Sequence, residues 1–251
     1  MDNHSPEGGD VLGIRPLGKA IDRLSEAAVS AAGAFLSRIC LPAAEELGFL
    51  LQDNVRGWRA RNATRIAQKA EEITNARAGQ SPLRAPPRIV AAALEVGSWT
   101  DDDHLQSMWA GLLASSCTPE GGDEENLMFT SLLGQLSSSQ VRILEFACIN
   151  CQKHTEGPGF VLATLFTMSV DQLRVASSVQ DIHRLDRELD HLHELGLIGG
   201  MLGPVGFLAG PNGVAAVTPT ALALHMYVRC KGSRQSPSEF FGVAPPSTPP
   251  S

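Results

Sequence analysis

The sequence predicts a mainly α fold, an N-terminal helical bundle joined to a C-terminal winged-helix-like module with a small β-hairpin. Three observations predict it. Apolar residues recur at three- and four-residue spacing through most of the chain, the signature of helices that each bury one face. Hydrophobic residues make up 43% of the sequence but aromatic ones only 5%, a balance suited to helices packed through small side chains rather than to sheets of β-branched and aromatic strands. In the second half the elements follow the order helix, helix, helix, hairpin, helix, and that order resembles a winged helix.

Taken in order, residues 1–13 are polar and glycine-containing and are expected to be disordered. Leu17, Ile21, Leu24, Ala28, Ala31 and Phe35 predict a first amphipathic helix over 16–40. Pro42 either kinks this helix or opens the next at a first-turn position. A long central helix is expected over 41–73, its buried stripe formed by Ala44, Gly48, Leu51, Val55, Ile66, Ala70 and Ile73, with a C-cap near Ala78 and Gly79. After a linker over 80–87, a short helix is predicted over 88–96 and stopped at Gly97. Thr100 and Asp103 have the form of a capping box for a helix in which Leu105, Met108, Trp109, Leu112 and Leu113 share one face. A further helix over 124–136 ends at the serine run 137–139, where the period restarts and a domain boundary is placed. The expected units are therefore a helical domain over 14–136 and a winged-helix-like domain over 137–232. The second is read as helices over 141–151, 169–176 and 182–195, a hairpin within 199–217, and a last helix over 218–228, before a disordered tail over 233–251.

Composition narrows the function classes. A formal net charge of −7 argues against a general nucleic-acid binder. Residues 135–231 show the same balance locally, with seven Lys or Arg against eight Asp or Glu. No basic segment followed by an apolar one marks a signal peptide at the N-terminus. Residues 27–51 are the sole membrane-span candidate, and Arg38, Glu45 and Glu46 interrupt them, so no transmembrane helix is expected while peripheral membrane contact stays open. Cys40, Cys117, Cys148, Cys151 and Cys230 form an odd set without a secretion signal and read as reduced thiols in a cytoplasm.

Two groups of residues merit attention as sites. Arg59 and Asn62 fall within the apolar stripe of the central helix. A buried guanidinium or amide needs its hydrogen bonds met. Arg59 therefore either lies over the core edge with its head in water, or joins Asn62 in a buried polar network with an acid such as Glu45, Asp101 or Asp103. On a second face, Arg61, Arg65 and Lys69 recur every four residues with no acid among them, a row that could meet an anionic partner or simply be solvated. No catalytic residue, metal site or cofactor is assigned. Cys148 and Cys151 with His154 lack the further ligands zinc requires and fit a buried stripe; His183, Asp186, Asp190 and His193 read as a solvated helix face. No glycine-rich phosphate loop or nucleophile elbow occurs.

The run Leu41-Pro42-Ala43-Ala44-Glu45-Glu46-Leu47-Gly48, followed by Asp53, Arg56, Arg59, Asn62 and Lys69, resembles the Abi-alpha (abortive infection alpha) family. So does a second stretch, Pro87-Arg88-Ile89-Val90, an acidic turn at Asp101, Asp102 and Asp103, and the helix from Leu105 to Ala114. The resemblance spans about 27–228. It implies a bacterial cytoplasmic protein linked to defence against phage, in which infection triggers arrest or death, and it implies no particular chemistry. The expected function is an anti-phage protein acting through macromolecular interaction, with a protein partner or self-association. The alternatives are a winged-helix DNA-binding transcription regulator, or an enzyme whose site joins Arg59 and Asn62 to the acidic turn.

Overall fold

The computed structural model describes residues 30–40, 54–77, 82–199, 206–208 and 213–244. The expectations for 1–13, for the start of the first helix and for 41–53, which include Pro42 and Glu45, lie outside these residues. Helices dominate, joined by two small antiparallel sheets. Helix α1 is described over 30–39, α2 runs Asn54–Arg77, α3 Pro87–Glu95, and a 3-10 turn follows at Gly97–Trp99. Next come α4 (Asp103–Ser115), α5 (Leu127–Leu133) and α6 (Ser138–Asn150).

The centre of the fold is α4. From Leu105 onward every residue but Ser107 is buried, as suits a helix with no charged side chain after its first turn. Against it pack α2, α3, α5, α6 and the late helix α9 (Ala221–Cys230). The approach of α9 is close at Gly111, where a Cβ would stand 1.7 Å from the carbonyl oxygen of Cys230. Trp109, 1% exposed, fills the centre as its periodicity predicts. The capping expectation is corrected by two positions, from Thr100 to Asp102. The N-cap is Asp102, whose carboxylate accepts from Leu105 N at 3.0 Å, while Thr100 Oγ1 accepts from Asp102 N at 3.1 Å. A carboxylate at the N-cap is the stronger acceptor and complements the helix dipole.

Beyond α6 the chain forms β1 (Lys153–Glu156) and β2 (Phe160–Ala163), a hairpin with Gly157 and Gly159 at positive φ in its turn. The sequence, read as a helix over 141–151 followed by one over 169–176, predicts no strand there. The chain continues as β3 (Thr167–Ser169), α7 (Val170–Ser177), α8 (Ile182–Glu194), β4 (Gly206–Phe207) and β5 (Val214–Ala216). The second sheet has strand order β3-β5-β4, so the late hairpin adds to the strand that precedes α7. Leu185, Leu189 and Leu192 of α8 are fully buried at i, i+4 and i+7, each contributing about 1.5–3 kcal/mol of apolar burial.

One feature ties the start of α6 to α8, and a second, the apolar core, joins the segments on either side of Ser137. A capping box formed by Ser137 and Gln140 starts α6, and Glu188 of α8 accepts hydrogen bonds from Ser137 Oγ at 2.9 Å and Ser139 Oγ at 2.8 Å. The apolar core is continuous, from Ala32 and Phe35 through Trp109 to Leu189 and Tyr227. The expectation of disorder from residue 233 is also corrected for 233–244. Ser236 caps a short helix α10 (Pro237–Phe241), and Phe241 stacks on Tyr227 with ring centroids 6.1 Å apart while Phe240 meets it edge-on at 6.2 Å. Aromatic burial offsets the ordering entropy of this Ser/Pro-rich stretch. Among the described residues no helix is long and apolar enough to cross a membrane.

Candidate functional site

Arg59 and Asn62 converge on one element, the turn at Gly97–Trp99 that follows α3. Asn62, 2% exposed, donates from Nδ2 to the carbonyl of Ser98 at 3.0 Å. Arg59 donates from Nε to Ser98 Oγ at 3.1 Å and from Nη2 to the carbonyl of Glu95 at 3.0 Å. Glu95 ends α3, so the guanidinium sits at the negative end of that helix dipole. Its planar face lies over the Trp99 ring, 4.4 Å from the centroid. Trp58, one position before Arg59, meets Trp99 with centroids 6.4 Å apart.

The turn reaches this position because Gly97 lacks a side chain: a Cβ there would lie 2.9 Å from Trp109 Cγ. Ser98 is fully buried, yet Trp99 is 59% exposed and Val96 43%. Two polar side chains of α2 thus clamp the backbone of a turn and hold a tryptophan outward. Trp99 and Val96 could not be found as a site from the sequence, because their exposure depends on where α3 ends against α2.

The acids expected beside Arg59 are placed differently. Glu45 lies outside the described residues, and Asp101 is exposed. Asp103 accepts from Lys69 Nζ at 2.6 Å, and that hydrogen bond and charge hold its carboxyl below the usual range. Lys69 also donates to the carbonyl of Asp103 at 3.1 Å and to Ser107 Oγ at 2.7 Å. The basic row is therefore split: Lys69 serves α4, while Arg61 and Arg65 are exposed.

A second polar cluster is not legible in the sequence as a unit. Glu145 of α6 is 8% exposed and pairs with both His104 of α4 and Lys231 at the end of α9. Beside it lies a cavity of about 140 Å³ that Ser107 also lines. The one signal in the sequence is that Glu145 stands four residues after Val141 on the buried side of its helix. Ser107 is not an activated nucleophile, since its Oγ accepts from Lys69 and donates to the carbonyl of Asp103 at 2.7 Å.

Cys148 and Cys151 are buried free thiols, both pushed up by burial, and His154 stands in β1. Among the described residues no group of three or more His, Cys, Asp or Glu is arranged to hold a metal ion.

The family model described as "Abortive infection alpha" matches residues 61–201, from within α2 to just beyond the end of α8. The chain belongs to the abortive infection alpha family. Membership in the abortive infection alpha family supports a role in abortive infection. The match covers Asn62, Lys69, the Trp99 turn, the acidic turn and Glu145 in one continuous stretch. No curated protein and no solved structure matches this abortive infection alpha chain.

Proposed function

We propose that this chain is an anti-phage protein of the bacterial cytoplasm that acts by docking a protein partner through the face built around Trp99. The observation that carries this reading is the exposure of Trp99, 59%, on a turn held by two hydrogen bonds and a cation–π contact from α2, with a third hydrogen bond fixing the end of α3 before it. A large aromatic side chain that is both exposed and rigid is what binding hot spots are built from, because little conformational entropy is lost when it is covered. Trp58 and Val96 extend its apolar surface.

Residues 137–232 are, in the same proposal, a winged-helix-like module used for protein contact. Support comes from the sheet order β3-β5-β4 with α7 and α8 between its first strand and its hairpin. The exposed face of α8 mixes Arg184 and Arg187 with Asp186, Asp190 and Glu194, a pattern that suits a protein surface better than phosphates. The same topology favours the second reading, a DNA-binding regulator; salt-dependent retardation of duplex DNA by the full chain would establish it.

The test is protection of bacteria expressing the chain against a phage panel. Wild type is expected to reduce plaque formation, and Trp99→Ala combined with Trp58→Ala to abolish protection. The exposed cation–π contact is worth about 0.5–1 kcal/mol, so Trp99→Ala alone should lower Tm by about 2–4 °C or less. Absence of protection by wild type, or full protection by the double variant, overturns the reading.

A further inference from the structure

A second feature lies at the opposite end of α2 and is independent of the docking face. There a cavity of about 590 Å³ opens between α2, the segment before α3, the end of α4 and the loop after α9, lined by Arg77, Leu83, Cys117, Ser233, Arg234 and Gln235. Among the described residues, two guanidiniums and no carboxylate line it. Arg77, the last residue of α2, donates from Nη2 to the carbonyl of Ala114 at 2.6 Å, which fixes its plane at the mouth of the cavity. Arg234 enters from the loop after α9 and forms an ion pair with Asp123 on one side, its Nη2 3.4 Å from Oδ2, which leaves its other N–H groups to the cavity. Beside it, Ser233 Oγ accepts from Gln235 N at 3.2 Å, and Gly232 takes a φ of 77°.

In a protein of net charge −7, two arginines turned toward one cavity are a local reversal of sign. Like charges facing a shared space repel, and an anion between them removes that repulsion while using the remaining N–H groups of both forks. Burial lowers the pKa of Arg77; the Cys117 sulfur opposes it, and the charge of Arg234 acts with burial. The apolar side of the cavity is Leu83 and Cys117. The Cys117 thiol donates to the carbonyl of Leu113 at 3.3 Å and burial pushes it up to about 11, so it is a surface to pack on and not a nucleophile.

We propose that this cavity binds a small phosphate-bearing ligand of nucleotide size, its phosphate held by Arg77 and Arg234 and its flat organic part laid against Leu83 and Cys117. The volume lies inside the range of about 300–1,000 Å³ common for small-molecule sites. Planar, permanently charged guanidiniums match phosphate in pairs of hydrogen bonds.

Titration calorimetry on the full chain tests it, with inorganic phosphate, pyrophosphate, the 5′-monophosphates of adenosine, guanosine, cytidine and uridine, and adenosine as the uncharged control. At least one monophosphate is expected to bind more tightly than inorganic phosphate, and adenosine not to bind. Arg77→Gln and Arg234→Gln should each weaken that binding by about ten-fold or more, the loss of a charge-assisted contact. Arg77→Gln keeps an amide donor for Ala114, and Arg61→Gln on the remote face should leave binding unchanged. The proposal is overturned if no phosphate-bearing probe binds, if both cavity variants bind as wild type does, if adenosine matches its monophosphate, or if inorganic phosphate binds as tightly as every monophosphate.

Discussion

Asn62 shows how one polar side chain within an apolar stripe becomes structural. Its amide meets the carbonyl of Ser98, a residue with no exposed surface, so removing the donor leaves a buried acceptor unmatched. Asn62→Ala or Asn62→Asp should therefore cost about 1–3 kcal/mol in urea unfolding, whereas Arg61→Ala, on the exposed side of the same turn, should change stability by about 0.5 kcal/mol or less. Equal effects at the two positions would remove Asn62 from the clamp. Arg59 illustrates the limit of reading single residues. Its place in the stripe marks it as needing partners, but those described are a serine hydroxyl, a helix-terminal carbonyl and an indole face, none with a sequence spacing that points to Arg59. His225 shows the same dependence on context: burial lowers its pKa, and the charge of Arg229 acts with burial while Glu125, 3.5 Å away, opposes it.

Among the elements, α4 carries the most consequence, because five other helices and the Trp99 turn are positioned against it. Periodicity alone identifies it, since Leu105, Met108, Trp109, Leu112 and Leu113 leave no other regular conformation that buries them together. Periodicity does not say that Gly111 is where α9 crosses. A Cβ at Gly111 would overlap the backbone oxygen of Cys230 at 1.7 Å, and a helix backbone cannot yield as a flexible side chain can. Gly111→Ala is expected to destabilise the protein by about 3 kcal/mol or more, at the upper end of the cost of overpacking. Gly57→Ala in α2, where nothing lies within 4 Å of the added carbon, should instead stabilise by about 0.5–1 kcal/mol through helix propensity. Thermal and urea unfolding of the two variants compare the effects directly; a tolerated Gly111→Ala would mean that α4 and α9 do not meet as described. The β1–β2 hairpin marks where element-level reading falls short. Its strands, Lys-His-Thr-Glu and Phe-Val-Leu-Ala, hold too few alternating apolar residues to stand out, and the local signal is the Gly157-Pro158-Gly159 turn between them.

At the scale of the whole molecule, the continuous core joins the segments before and after Ser137, and Glu188 ties α8 to the start of α6. The three tryptophans, Trp58, Trp99 and Trp109, all precede Ser137, so intrinsic fluorescence reports the first segment while far-UV circular dichroism reports all the helices. One shared core predicts that the two signals give coincident urea transitions; separated midpoints would mean that the segments unfold as independent units. The sequence by itself determined the helical class, the inward face of α4 and α8, the need of Arg59 and Asn62 for partners, and the likeness to the abortive infection alpha family. These follow from local periodicity and from the cost of burying an unpaired polar group, both of which are written into neighbouring residues. Only the tertiary structure decided that Trp99 stands outward, that Glu145 meets His104 and Lys231, and that Arg77 and Arg234 face one cavity. Each depends on residues from about 40 to more than 150 positions apart being brought together by helix crossings, and no spacing within a single element encodes such a meeting.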